Sequence, residues 1–352
     1  MRFVPIKLLK DGMKVGRTIY NEKGIPLLYA NASLNNNHIA KLIELGYQGL
    51  LIDDDISKNI EYEESFLSQE LKFTISTKVK DVFSRLSNNK EILYNNIDDL
   101  VVLVDDIVTK VLSSRDLTLN LLELKMFDNY TYFHSINVAI IALVLGKHLQ
   151  LNSKELRDLC LSGLLHDVGK IFVSQEILNK GEKLTEEEFE IIKSHSQQGY
   201  DILKRNPILT SKVCVAVLSY HEHYDGNGYP NRLKGDKISL FARILCIADV
   251  YDALTSNRPY RKACVPSEGI EYIMANGGKL FDPELVNLFI SKVYPYPAGS
   301  LVRLSNNEVG MVIENNNTLC LRPTIKIKDK IVNLLESQQY RSVTILGLLD
   351  TP

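Results

Sequence analysis

The sequence predicts a mainly α-helical protein with a small α/β module at its N-terminal end and a small β appendage at its C-terminal end. Three observations predict it. Short β-like runs broken by turn signals fill residues 1–60, apolar residues at three- and four-residue intervals run from about 61 to 293, and alternation takes over after Tyr294-Pro295-Tyr296-Pro297. At 352 residues the chain suits two or three modules rather than one domain.

In the first module, Phe3-Val4-Pro5-Ile6 and Gly49-Leu50-Leu51-Ile52-Asp53 read as strands. Between them, Asn37 to Gly46 has helical spacing and a glycine placed to end the helix. Residues 61–124 contain no proline and place Val79, Val82, Phe83 and Leu86, then Leu100, Val104, Ile107, Val108 and Val111, on helical faces. Two readings of this stretch stand together: a helical hairpin that packs two subunits, and a linker. Residues 125–293 continue as helices interrupted by polar loops, and 294–352 hold the runs Ser300 to Leu304, Glu308 to Ile313 and Thr318 to Leu321, separated by Asn-rich turns.

Composition narrows the function classes. Lys+Arg 41 against Asp+Glu 43 leaves a formal net charge of -2, too little field to draw in polymeric nucleic acid nonspecifically. The five cysteines are scattered with no CxxC spacing and read as reduced core thiols, which points to the cytoplasm. The longest apolar stretch, Asn137 to Gly146, falls well short of the roughly 20 residues a membrane span needs, so no membrane span is expected.

The chemistry concentrates in Leu165-His166-Asp167-Val168-Gly169-Lys170 and in His221-Glu222-His223-Tyr224-Asp225-Gly226-Asn227-Gly228-Tyr229-Pro230. Neighbouring helix residues point about 100° apart, so His166 and Asp167 can still converge on one ion held at a helix end. The second carboxylate oxygen of Asp167 can then bridge to a neighbouring ion. His134 lies on an apolar segment one helix upstream, and a buried imidazole must be paired or ligated. His195 sits on a Glu-rich amphipathic helix, where a lone histidine is more often a surface residue. His221 and Asp249 each follow an apolar run, and a carboxylate there needs a partner. Four imidazoles and two carboxylates form a mixed N/O set suited to Fe, Mn, Zn or Ni rather than Mg or Ca.

Read in order, these residues resemble the HD-GYP family of metal-dependent cyclic dinucleotide phosphodiesterases. The match covers about residues 125–290. Besides the two motifs above, it includes His134-Ser135, Leu184 to Phe189, His195, Leu233-Lys234-Gly235, Ala248-Asp249-Val250-Tyr251-Asp252-Ala253-Leu254-Thr255, Arg258-Pro259-Tyr260-Arg261 and Phe281-Asp282-Pro283. The resemblance implies a helical HD-type domain that hydrolyses cyclic di-GMP to linear pGpG, and in some members on to GMP, with two divalent metal ions. Fe or Mn is expected, with Zn or Ni as alternatives. Carried over residue by residue, His134, His166, Asp167 and Asp249 hold one metal, and Asp167 bridges to a second held by His195 and His221. Lys170 faces the scissile phosphate and neutralises it or protonates the leaving oxygen. Gly228 and Tyr229 form the ligand-facing turn, Arg258 and Arg261 contact phosphate, and Asp252 joins the substrate-binding set.

Two positions depart from the family pattern: Tyr130 stands where members with a third metal carry Glu, and Tyr220 stands where a second His normally precedes His221. Both changes remove a ligand, although the phenol of Tyr220 could supply an oxygen instead. The leading expectation is a binuclear centre whose metal-bound hydroxide attacks phosphorus. Its competitors are a catalytically degenerate module that binds a cyclic dinucleotide or a signalling partner, and the same chemistry on cyclic GMP-AMP.

Overall fold

The computed structural model describes residues 1–21, 25–55, 68–88, 97–114, 117–120, 132–256 and 263–349. Tyr130, Arg258 and Arg261 lie outside the described residues. At the N-terminal end, β1 (Arg2–Pro5), β2 (Lys14–Val15) and β5 (Gly49–Asp53) form a sheet in the order β1-β5-β2, both pairings antiparallel. The hairpin of β3 (Ile19–Tyr20) and β4 (Pro26–Leu28) and the helix α1 (Asn36–Glu44) complete the module. Asn35 caps α1 by accepting from the His38 N–H. Phe3, Val4, Leu50, Leu51 and Ile52 fill its core, which reaches the helical part through Phe73 and Phe133, their rings edge to face at 5.5 Å.

The helices α2 (Gln69–Asn88) and α3 (Ile97–Ser113) carry the apolar faces that the sequence spacing predicts, and those faces are buried in the same core as the rest of the bundle. Arg157 fixes α3 further, its guanidinium donating to both oxygens of Asp105 at 2.5 and 2.7 Å. The centre of the bundle is α4 (Phe133–His148), buried on every side from Ser135 to Gly146, as a helix apolar all round must be. α5 (Ser153–Leu165) packs on it, then come the short α6 (Gln175–Leu178), α7 (Glu186–Leu203) and α8 (Ser211–Ser219), which pack on one another, α8 also on α5, and α9 (Leu240–Thr255), α10 (Pro266–Ala275) and α11 (Pro283–Lys292), of which α9 and α11 return to α4. Capping boxes start α5 at Asn152 with Glu155, and α7 at Thr185 with Glu188.

Beyond the bundle, β6 (Leu119–Asn120) pairs in parallel with β7 (Val293–Tyr294). Then β8 (Leu301–Leu304), β9 (Val309–Glu314), β10 (Thr324–Ile327), β11 (Lys330–Asn333) and β12 (Ile345–Leu348) build an antiparallel sheet in the order β11-β10-β9-β8-β12 around Val302, Leu304, Val312 and Ile325. Among the described residues, no helix is long and apolar enough to cross a membrane, and all five cysteines are unpaired.

Candidate metal centre

The ends of helices bring the predicted ligands together. His134 stands in the first turn of α4, and His166 and Asp167 follow the last residue of α5. His195 lies mid-way along α7, Tyr220 and His221 directly follow α8, and Asp249 and Asp252 share a face of α9 one turn apart. His195 is buried at 1% exposure, unlike the surface position that its Glu-rich helix suggests. The reason is close packing between α7 and the turn Val168–Phe172. A Cβ on Gly169 would stand 1.8 Å from the carbonyl oxygen of His195, so only glycine lets the two backbones meet.

The imidazoles are oriented from behind. His166 Nδ1 donates to the Gly163 carbonyl at 2.8 Å, and His195 Nδ1 donates to the Ile192 carbonyl. His134 Nδ1 donates to Asp252 Oδ2 at 2.7 Å. A carbonyl only accepts, so the ring proton of His166 and of His195 sits on Nδ1 and the Nε2 lone pair faces the site. Asp252 corrects one expectation: read from the sequence as a substrate contact, it is fully buried. Its oxygens are engaged by His134, by the Asn137 side-chain amide at 2.9 Å and by the Ser256 hydroxyl at 3.3 Å, because its face of α9 packs on α4. It positions a ligand rather than facing solvent.

In front, the acceptor atoms converge. His134 Nε2 lies 3.3 Å from His166 Nε2, 3.1 Å from Asp249 Oδ1 and 3.8 Å from Asp167 Oδ2. His166 Nε2 lies 3.5 Å from Asp167 Oδ2 and 3.9 Å from Asp249 Oδ1. Ligand atoms bound at about 2.0–2.2 Å to one ion stand roughly 3–4 Å apart, which suits His134, His166 and Asp167, with Asp249 reaching the two imidazoles from the other side. The same gathering is visible among His134, His166 and Asp167 alone, whose ligand atoms lie within 4.8 Å of one another.

The other oxygen of Asp167 faces a second group. Tyr220 Oη lies 3.0 Å from Asp167 Oδ1 and 2.7 Å from His195 Nε2, and that nitrogen is 3.9 Å from the same carboxylate oxygen. The His221 ring packs at 4.0 Å on Tyr220 and stacks at 4.7 Å on Tyr229, so Tyr229 braces a predicted ligand from the loop side. Lys170 Nζ donates to Asp167 Oδ2 at 2.6 Å. Gly228 is buried, and a Cβ there would stand 2.2 Å from the His223 backbone nitrogen. Sequence reasoning missed Glu222 as a structural anchor: its buried carboxylate accepts the backbone N–H groups of Asn231 and Leu233 at 2.7 and 2.9 Å and holds the loop closed. An acid next to a ligand histidine and ahead of a glycine-rich turn was the available signal.

Electrostatics suit a cation. Burial disfavours the Asp167 carboxylate, yet Lys170 and the histidines around it hold its pKa well below the ordinary value, and Asp249 is lowered in the same way by His134. Burial lowers His166 and His195, and pulls His221 down to about 3, so these rings are neutral donors at neutral pH. Burial pushes the Tyr220 phenol well above its ordinary value, with the Asp167 and Asp249 charges adding to it. For His134 burial favours the neutral ring, but hydrogen bonds to Asp249 and Asp252 outweigh it and raise the pKa to about 9.

A histidine raised in the folded state stabilises fully below its ordinary value of 6.5, and that stabilisation is lost as pH rises through about 9. Chelator-treated protein is therefore expected to lose thermal stability between those two values in scanning calorimetry. The His134→Asn variant should show a flatter profile, and an equally flat wild-type profile would refute the assignment.

A sequence model for the HD domain matches residues 110–285. A cyclic di-GMP phosphodiesterase of Pseudomonas aeruginosa, PA4108, is 40% identical over 225 residues, covering 64% of this chain and 54% of the relative. The cyclic di-GMP phosphodiesterase PdeB of Borreliella burgdorferi is 31% identical over 222 residues, covering 62% and 58%. A 3'3'-cGAMP-specific phosphodiesterase of Vibrio cholerae is 41% identical over 127 residues, covering 36% and 24%. The chain thus spans little more than half the length of the first two. Among solved structures, Bd1817, an HDG"Y"P protein of Bdellovibrio bacteriovorus, superposes with a TM-score of 0.52 at 15% identity, covering 81% of this chain and 96% of that one, which shows a shared fold.

Proposed function

The chain belongs to the HD-domain family and, within it, to the HD-GYP branch, and from that premise we propose that it is a metal-dependent phosphodiesterase that hydrolyses cyclic di-GMP to pGpG, with GMP as the alternative end product. One observation carries the reading. Imidazole nitrogens and carboxylate oxygens drawn from the ends of separate helices face each other at 3.1–3.9 Å, an arrangement suited to holding a shared cation.

His134, His166, Asp167 and Asp249 would hold one ion, with Asp167 reaching through its other oxygen to a second beside His195 and His221. The N/O donor set favours Fe or Mn, with Zn or Ni as alternatives. When bound, such ions supply Lewis-acid activation of water and neutralise charge on the phosphodiester. Lys170, already on Asp167 Oδ2, brings a positive charge to the edge of the site, where it neutralises phosphate or gives a proton to the leaving oxygen. Gly228 and Tyr229 form the turn beside His221, and Arg258 and Arg261 contact phosphate through their planar guanidinium groups. The reduced cysteines fit a cytoplasmic enzyme. A homodimer or a signalling partner remains part of the reading, with residues 61–124 as its linker or dimerisation region, although the apolar faces of α2 and α3 are buried in the chain's own core.

The test is product analysis after incubating Fe- or Mn-loaded protein with cyclic di-GMP, with cyclic GMP-AMP in parallel because cGAMP enzymes also resemble the chain. Metal-dependent appearance of pGpG is expected. Tight calorimetric binding of cyclic di-GMP without turnover under any of these metals would instead make the domain a receptor.

A further inference from the structure

We propose that Tyr220 is itself a metal ligand, its phenol oxygen occupying the coordination place between His195 and Asp167 in the second half of the centre. The proposal rests on the metal-centre reading above and deepens it, since Tyr220 otherwise counts as the loss of a family histidine.

The cluster around Tyr220 is short of hydrogens. Three atoms meet behind the loop: His195 Nε2, Asp167 Oδ1 and Tyr220 Oη. His195 uses its one ring proton on the Ile192 carbonyl, so Nε2 presents a lone pair. Lys170 donates to the other oxygen of Asp167, and Oδ1 meets the phenol as an acceptor. The phenol owns one hydrogen, which can satisfy His195 or Asp167 but not both. Whichever it serves, the other acceptor is left against the phenol oxygen at 2.7 or 3.0 Å in a place where Tyr220 is 1% exposed and water has little access. A divalent ion takes a lone pair from all three at once.

The separations of 2.7, 3.0 and 3.9 Å are compatible with edges of a coordination polyhedron with bonds of about 2.1 Å. Tyr220 is also held for this task. It ends α8, and its ring sits edge-on to His166 at 5.0 Å and against His221 at 4.0 Å, so the hydroxyl is aimed rather than free to swing. On binding, the O–H bond breaks, the oxygen bonds the metal, and the proton passes to solvent. The hard anionic oxygen shifts the second place toward iron and manganese and away from softer metals.

The experiment is to load the full chain with ferrous iron, oxidise it in air, and record metal content and the visible spectrum. Wild type is expected to hold two ions per chain and to show a phenolate-to-ferric charge-transfer band, with phenolate modes enhanced in resonance Raman. Tyr220→Phe should lose the band and one of the two ions, while Tyr220→His, which restores a nitrogen donor and guards against a folding defect, should keep two ions without the band. Two ions and no band in wild type, or a band that survives in both variants, overturns the proposal. One ion and no band means that the phenol seals the second place, which also overturns it. Failure to retain any iron or manganese would count against the metal centre itself.

Discussion

Replacing Asp167 with alanine is expected to abolish both tight metal binding and turnover. Among the described residues, Asp167 is the carboxylate that touches both halves of the centre: Oδ2 faces His134, His166 and Lys170, and Oδ1 faces His195 and Tyr220. On the proposed binuclear reading, removing it would take a ligand from each ion and leave Lys170 without this partner. Metal ions contribute several kcal/mol to phosphoryl chemistry, so the loss should be about 1000-fold or more in kcat/KM. The fold should survive, because Lys170 is one-third exposed and can turn to solvent. Metal analysis and a product assay on Asp167→Ala decide it, and a variant that keeps two ions per chain with a rate within tenfold of wild type would contradict the assignment.

Gly169→Ala is expected to produce the largest loss of stability from a single methyl group. The added carbon would meet the His195 carbonyl oxygen at 1.8 Å and the Gly199 nitrogen at 2.7 Å, and both are backbone atoms that cannot rotate aside. The turn Val168–Phe172 must then lift from α7. Overpacking of this kind costs about 3 kcal/mol or more. Because Asp167 opens that turn and His195 lies on that helix, the two would separate, and metal affinity should fall with stability. Thermal unfolding of the metal-free and metal-loaded variant measures both effects. An unchanged midpoint would show that the backbones are not in contact.

Much of this was legible from sequence because it is local. The apolar faces of α2 and α3, the capping boxes and the all-apolar α4 follow from spacing, and the six residues expected to bind metal lie on these helices or just past their ends. What was not legible depends on which face meets which. His195 looked exposed because its helix is Glu-rich, and nothing local says that Gly169 draws that helix against a turn. Asp252 looked like a site residue because it follows Asp249 by one turn, yet that turn carries it behind His134. Tyr220 read as a lost histidine whose phenol could supply an oxygen instead, while the position of that oxygen was invisible.

The orientation of the imidazoles from behind has one more consequence. Their rings are fixed by the Gly163 and Ile192 carbonyls of their own helices and by a buried acid on α9, so part of each ring's orientation is set by the fold itself. Small metal domains that fold only around their ion spend binding energy on ordering the chain. Here backbone carbonyls and the buried Asp252 share that ordering with any bound ion, so a change at Asp252 is expected to weaken the site without touching a residue of the donor set.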